Sequence, residues 1–298
     1  MCTQNCSGAY NKTGSIRSSI ESGNLDILVL TETHMKEKHL NKFNAEIGYN
    51  CTAGKEKIIH DVSNTGDYKG VTVIIKKNLP LTIIEISKSG IGHHIVIKAK
   101  YRNRHFVLIA IYGESSGSDR NSLQVISRAC SAAQRNINSA TDPIILCTGD
   151  FNFVTTDSDH SNPNYNRKQN TEYHFNEFIR RNKLIDVHLD HSEGLPSHTF
   201  KRPHLDSWIT SRLDRMYISE QHISRPIFKT DKLLQSDHDS LHYNWNVEKT
   251  TRKPKFPDHM LTCDKLQSDL QDLVRETLIL NSKDRDLQEI CLLYTSPS

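Results

Sequence analysis

The chain has 298 residues, 36% of them hydrophobic and 24% charged, and carries a net charge of +3. That length holds one large domain or two ordinary ones, and the polar balance excludes oily and low-complexity classes. No apolar run approaches the roughly 20 residues of a membrane helix, and no apolar h-region follows Met1. Seven cysteines, an odd number without a Cys-x-x-Cys, point to neither a disulfide framework nor a structural zinc site, so an intracellular setting is expected.

In chain order, residues 14–22 read as a helix and 25–31 as a strand. Short runs rich in Val, Ile and Leu follow at 71–76, 82–87, 95–100 and 106–112, separated by turn residues such as Asn78-Leu79-Pro80 and Ser89-Gly90. The stretch 71–112 is therefore expected to be an antiparallel meander. Ser118-Asp119 can cap a helix running to about Asn136, on which Leu123, Ile126, Cys130 and Ala133 recur at helical spacing. A strand at 144–148, a helix at 171–181 and strands at 215–219 and 241–247 complete the pattern. Mixed elements over 1–248 argue for one α/β domain, sheet on sheet with helices outside. Residues 249–258, basic and carrying two prolines, suit a linker, and 259–298 suit the helical tail of a downstream region.

Three of the strand-like runs end in a polar group fit for catalysis. Residues 25–31 deliver Glu32, 106–111 deliver Tyr112, and 144–149 deliver Asp150 with Asn152 two residues on. Side chains just past the carboxyl ends of strands gather at one sheet edge, where open α/β folds place their sites. Gly149 permits a tight exit, and Asp150 and Asn152 share a side if the chain stays extended. A carboxylate beside an amide can orient a water; the alternative for this run is an Asp-Asn turn. In Ser236-Asp237-His238 the adjacent acid and imidazole cannot meet along a strand, so each needs its own partner. A carboxylate such as Asp214 could fix the His238 ring, and a protonated His238 would stabilise charge on a phosphoryl oxygen.

The ordered set Asn5, Thr31-Glu32-Thr33-His34, Tyr112, Gly149-Asp150-Phe151-Asn152, Ser211-Arg212-Leu213-Asp214 and Ser236-Asp237-His238 resembles the endonuclease/exonuclease/phosphatase superfamily. Ser197-His198-Thr199-Phe200 and the run from Ser211 to Ser219 look most like the endonuclease domain of non-LTR, LINE-type retrotransposons. The resemblance implies a four-layered α/β sandwich, two packed sheets flanked by helices, with Mg²⁺ or Mn²⁺ at one edge. It implies Glu32 as main metal ligand, supported by Asn5 and completed by Asp237. Asp150 with Asn152 would activate the water, Tyr112 would contact the scissile phosphate, and His238, oriented by Asp214, would stabilise the transition state. Thr199 and Ser236 would lie beside the phosphate. DNA would be the substrate, nicked in the nucleus so that a reverse transcriptase region could use the freed end. An abasic-site repair endonuclease, a phosphatase or lipid phosphodiesterase of the same fold, and an inactive binding module are the alternatives.

Other constellations are weaker. Asp157-Ser158-Asp159-His160-Ser161 lacks the glycine and final glutamate of a calcium loop, since Asn162 and Lys168 stand there, and is expected to be a polar surface loop. Asp186, His188, Asp190 and His191 follow no metal-ligand spacing. Arg212 and Arg215, with Lys201 and Arg202, are expected to form a basic rim toward DNA.

Overall fold

The computed structural model describes residues 1–244 apart from 23–24, 49–57, 64–67, 77, 116–117, 163, 192–196, 205–206 and 223–226. The expected linker 249–258 and tail 259–298 lie outside the described residues. The strands are β1 (Cys2–Asn5), β2 (Ile27–Thr31), β3 (Ile58–Asp61), β4 (Val71–Ile75), β5 (Leu81–Lys88), β6 (His94–Tyr101) and β7 (Arg104–Tyr112). They continue with β8 (Ile144–Asp150), β9 (Leu184–Asp186), β10 (Phe200–His204), β11 (Ser207–Ser211), β12 (Asp214–Ser219), β13 (Ile227–Asp231) and β14 (Ser240–Asn244). The helices are α1 (Thr13–Ser22), α2 (Glu37–Ile47), α3 (Asp119–Asn138), α4 (Gln169–Arg181) and α5 (Val187–His191).

One sheet has the order β13-β14-β1-β2-β4-β3 and the other β5-β6-β7-β8-β12-β9, while β10 and β11 pair as a separate ribbon. The central pairs β1–β2 and β7–β8 run parallel. Such strands are covered on both faces, which is why Ile27-Leu28-Val29-Leu30-Thr31 is apolar almost throughout and fully buried. Alternation then sorts the side chains into layers. Val29, Val71, Val73 and Ile75 of the first sheet meet Ile95, Ile97, Leu108, Leu146 and Met216 of the second. Leu28, Leu30 and Ile74 face outward to Ile16, Phe43 and Ile47 of α1 and α2. On the far side Val107, Ile109, Ile145 and Cys147 pack against Ile126, Ala129 and Ala133 of α3 and Phe175 and Phe178 of α4. Each such side chain contributes about 1.5–3 kcal/mol of burial. Helix, sheet, sheet, helix is the expected four-layered α/β sandwich.

Most elements stand where the sequence places them. The cap of α3 is Ser118, whose hydroxyl accepts from the Asn121 N–H at 3.4 Å. The meander expectation needs correction. Only β5–β7 form one; β4 pairs with β2 and β3 in the other sheet, and the chain changes sheet between Ile75 and Leu81. Sequential strands pair more often than not, but Val71, Val73 and Ile75 all enter the layer between the sheets, which either sheet could use. No described helix is long and apolar enough to cross a membrane.

Candidate active site

Strand ends from both sheets converge at one edge. β1 ends on Asn5 and β2 runs into Glu32, and their last residues, Asn5 and Thr31, are register partners. β7 and β8 end together on Tyr112 and Asp150, and β12 begins opposite them on Asp214. His238 comes from the loop before β14 and is tied to β1 by buried Gln4. The Gln4 Nε2 donates to the carbonyls of Leu234 and His238 at 3.1 and 3.0 Å, and its Oε1 accepts from the Leu234 N–H at 3.0 Å.

The exits are tightly turned. Glu32 and Asn152 hold φ of 54° and 53°, the left-handed region that residues with a Cβ seldom adopt. Gly149 has φ 139°, and a Cβ there would run into the carbonyl of Ile111 on the neighbouring strand. Because the strand stops at Asp150, the expected alternation of Asp150 and Asn152 does not hold. The Asn152 backbone N–H instead donates to Asp150 Oδ1 at 2.9 Å, the Asp-Asn turn, and the Asn152 Nδ2 donates to the Gly113 carbonyl at 3.1 Å.

A single amide organises the centre. Asn5 Nδ2 donates to Glu32 Oε2 at 2.5 Å and to Asp150 Oδ2 at 2.9 Å, and lies 3.4 Å from His238 Nε2. Its Oδ1 accepts from the Ser7 N–H at 3.0 Å, which fixes which end of the amide faces the carboxylates. His238 Nδ1 donates to Asp214 Oδ2 at 2.7 Å, with both side chains buried. His34 Nε2 stands 3.2 Å from Glu32 Oε1.

These contacts set the charges. Burial, followed by the Asp214 carboxylate, pushes Asp150 up to about 7. Burial works against the charged form of His238, but Asp214, by its charge and its hydrogen bond, outweighs it and raises the imidazole to about 10. Burial likewise raises Glu32, and hydrogen bonds from His34 and Asn5 more than offset it, holding the carboxyl below its usual range. Burial, with Glu32 and Asp150 nearby, raises Tyr112 far above the ordinary phenol, so its hydroxyl stays a neutral donor. An imidazolium, a phenol and two carboxylates thus face one space.

The donor set fits a hard divalent cation. Ligand atoms of Asp150, Asp214 and His238 lie within 4.8 Å of one another, and among the described residues Asp214 Oδ1 has no hydrogen-bond partner. His238, held charged, is a poor ligand. The Glu32 and Asp150 oxygens, both gathered on Asn5 Nδ2, are the oxygen donors such an ion takes.

The site residues expected from the sequence divide accordingly. Asn5, Glu32, Tyr112, Asp150, Asp214 and His238 come together, but Asn5 turns its nitrogen to the carboxylates, so it positions Glu32 rather than ligating. Asp237 is exposed, with its Oδ1 3.3 Å from Ser236 Oγ, outside the buried cluster. Ser236 donates to the Asn5 carbonyl at 2.8 Å and accepts from the His238 N–H at 3.2 Å, so its hydroxyl holds the loop instead of meeting a phosphate. Thr199 is fully buried, its Oγ1 accepting from the Leu213 and Asp214 N–H groups at 3.2 and 3.1 Å, and it positions Asp214.

The basic rim is corrected most sharply, since Arg212 and Arg215 are both 0% exposed. Arg212 pairs with Asp159 at 2.6 Å and Asp186 at 2.7 Å, so the presumed surface loop at 157–161 sends a carboxylate into the core. Arg215 lies over the rings of Phe151 and Phe153 at 4.9 and 4.6 Å and donates to the Phe153 carbonyl. Lys201 and Arg202 are exposed on the β10–β11 ribbon. Sequence reasoning missed Gln4 and Lys168, whose Nζ ties the Glu114 and Asn152 carbonyls at 2.8 and 3.0 Å. No local pattern marks either one.

Four layers with carboxylates, an amide and an Asp–His pair at one edge define the class. The chain belongs to the endonuclease/exonuclease/phosphatase family, whose pattern matches residues 2–238. It is similar to a transposon TX1 uncharacterized 149 kDa protein of Xenopus laevis, 22% identical over 257 residues that cover 85% of this chain but only 18% of that protein. Among solved structures, the endonuclease domain of TRAS1, a telomere-specific non-LTR retrotransposon, superposes with TM-score 0.54 at 15% identity, covering 83% of this chain and 98% of that one. An AP endonuclease from Archaeoglobus fulgidus gives 0.62 at 16% identity, with the same coverages. At such identities these structures share the fold.

Proposed function

We propose that the chain is a Mg²⁺-dependent endonuclease, with Mn²⁺ as a substitute, that nicks DNA for retrotransposon insertion. The observation that carries this reading is Asn5 Nδ2 joining Glu32 to Asp150 beside a His238 backed by buried Asp214. Glu32 and Asp150 would hold the cation, which when bound offsets phosphate charge and lowers the pKa of water. Asp150, as carboxylate, takes a proton from the attacking water, with its Oδ1 steadied by the Asn152 N–H. The water oxygen bonds to phosphorus as the P–O3′ bond breaks, and the departing O3′ takes a proton from a solvent water, leaving a 5′-phosphate and a 3′-hydroxyl. The His238 imidazolium and the Tyr112 hydroxyl donate to the phosphoryl oxygens as charge builds there.

The TX1 likeness and the TRAS1 fold support the retroelement assignment, and with it a nuclear place of action. A reverse transcriptase acting with this chain would extend the freed 3′-hydroxyl. Nicking of supercoiled plasmid is the test. It should require Mg²⁺, stop with EDTA, and fall by at least ~10²-fold in Asp150→Ala. Equal nicking by the variant would overturn the role of Asp150. Strong preference for an oligonucleotide bearing one abasic site would replace insertion by repair.

A further inference from the structure

A cavity of about 330 Å³ opens between α3 and the start of β6, apart from the catalytic cluster. Its lining includes Lys88, Arg128 and Arg135 together with Ser89, Ser131 and His94, and no acidic residue. Arg128, Ser131 and Arg135 lie three and four residues apart, so one face of α3 presents two guanidinium groups with a hydroxyl between them. Lys88 faces them from the end of β5. A single exposed cation is normally just a solvated charge; three on one concave wall repel one another unless an anion sits among them.

A second observation points to a ligand. His94 is only 5% exposed, lines this cavity, and its Nδ1 has no hydrogen-bond partner among the described residues. A buried polar atom without a partner is costly, and a small turn of the ring toward the cavity would let its N–H meet an oxygen there, or let a bound water bridge to it. Behind the wall, Asp61 accepts from Ser89 Oγ and from the N–H groups of Gly90 and His94 at 2.8 and 3.3 Å, and Glu114 stands 3.7 Å from the His93 imidazole.

The cavity also adjoins the catalytic edge. His93, in its wall, accepts the Tyr112 N–H at its carbonyl at 2.8 Å and stacks on the Tyr112 ring with centroids 6.1 Å apart. We infer that Lys88, Arg128, Arg135 and His94 form a phosphate-binding subsite that holds a backbone phosphate of a nucleic acid that also has a phosphodiester in the Asp150–His238 cluster. This deepens the endonuclease reading and rests on it. The volume suits one phosphate with part of its sugar, and the two guanidinium groups supply paired donors for its oxygens.

The test is duplex DNA binding to the full chain in EDTA, read by fluorescence anisotropy over a salt series. The double variant Arg128→Gln, Arg135→Gln changes two exposed positions, and an unchanged circular dichroism melt will verify its fold. One lost phosphate contact should weaken binding about tenfold at low salt and reduce the slope of log K against log salt by about 0.9. An unchanged affinity and slope would overturn the subsite. Titration with inorganic phosphate, followed at the His94 ring by NMR, separates a free-phosphate site: if it saturates while duplex binding ignores the variant, the nucleic-acid assignment fails. If the wild type binds DNA through these arginines yet never nicks plasmid with Mg²⁺, the subsite stands and the endonuclease reading falls.

Discussion

Replacing Asp214 with asparagine isolates what holds the charge on His238. The substitution keeps an acceptor for the His238 Nδ1–H, now 2.7 Å from Asp214 Oδ2, and disturbs little else because Asp214 Oδ1 has no partner among the described residues. The folded-state imidazole lies near 10, above its ordinary 6.5. Its contribution to stability is therefore fully present below about 6.5 and is lost as pH rises toward 10. At about 1.4 kcal/mol per decade, that rise sets a ceiling near 5 kcal/mol. Asp150 shares in it, so Asp214→Asn should cost about 2–3 kcal/mol at pH 6 and under about 1 kcal/mol at pH 10. Denaturant unfolding at both pH values measures the difference, and NMR of the His238 ring should find it neutral at pH 7. Nicking at pH 7 should drop ~10²-fold, with the alkaline limb of the rate profile moving down in pH. A His238 that still titrates above 9 in the variant, or equal destabilisation at both pH values, would refute the reasoning.

Four further outcomes follow from the geometry. Asp150, raised from 3.8 to about 7, must lose its proton to act, so nicking should fall about tenfold per pH unit below its pKa, with that limb shifting to lower pH as Mg²⁺ is raised. By the same linkage the metal-free protein should lose stability as pH rises from about 4 through 7, and added Mg²⁺ should restore it in thermal melts. Arg212→Ala should destabilise by about 3–5 kcal/mol, since it strands the buried Asp159 carboxylate; a loss of DNA affinity with unchanged melting temperature would instead return Arg212 to the surface. Gly149→Ala should cost several kcal/mol, of order 2–4, because the added Cβ overlaps the Ile111 carbonyl at a positive φ, and a melt unchanged within a degree would contradict the exit geometry.

The sequence by itself determined the elements that have strong local periodicity and the side chains that those elements deliver. Residues 27–31, 106–111 and 144–149 are apolar almost throughout because they are covered on both faces, so the position just past each, Glu32, Tyr112 and Asp150, was legible as a site residue. Asn5, Glu32, Tyr112, Asp150, Asp214 and His238 were all found that way or by the family's ordered motifs.

Tertiary structure decided what depends on partners distant in the chain. A charge on Arg212 or Arg215 looks like surface until Asp159, Asp186 and the rings of Phe151 and Phe153 close over it. A β-branched run does not say which of two sheets it will join, so β4 left the meander. Nor does an amide reveal which end it will turn inward: Asn5 presents nitrogen because Ser7 claims its oxygen. Local pattern reports burial and period, whereas pairing is settled by the three-dimensional competition for hydrogen-bond partners and for the space between layers.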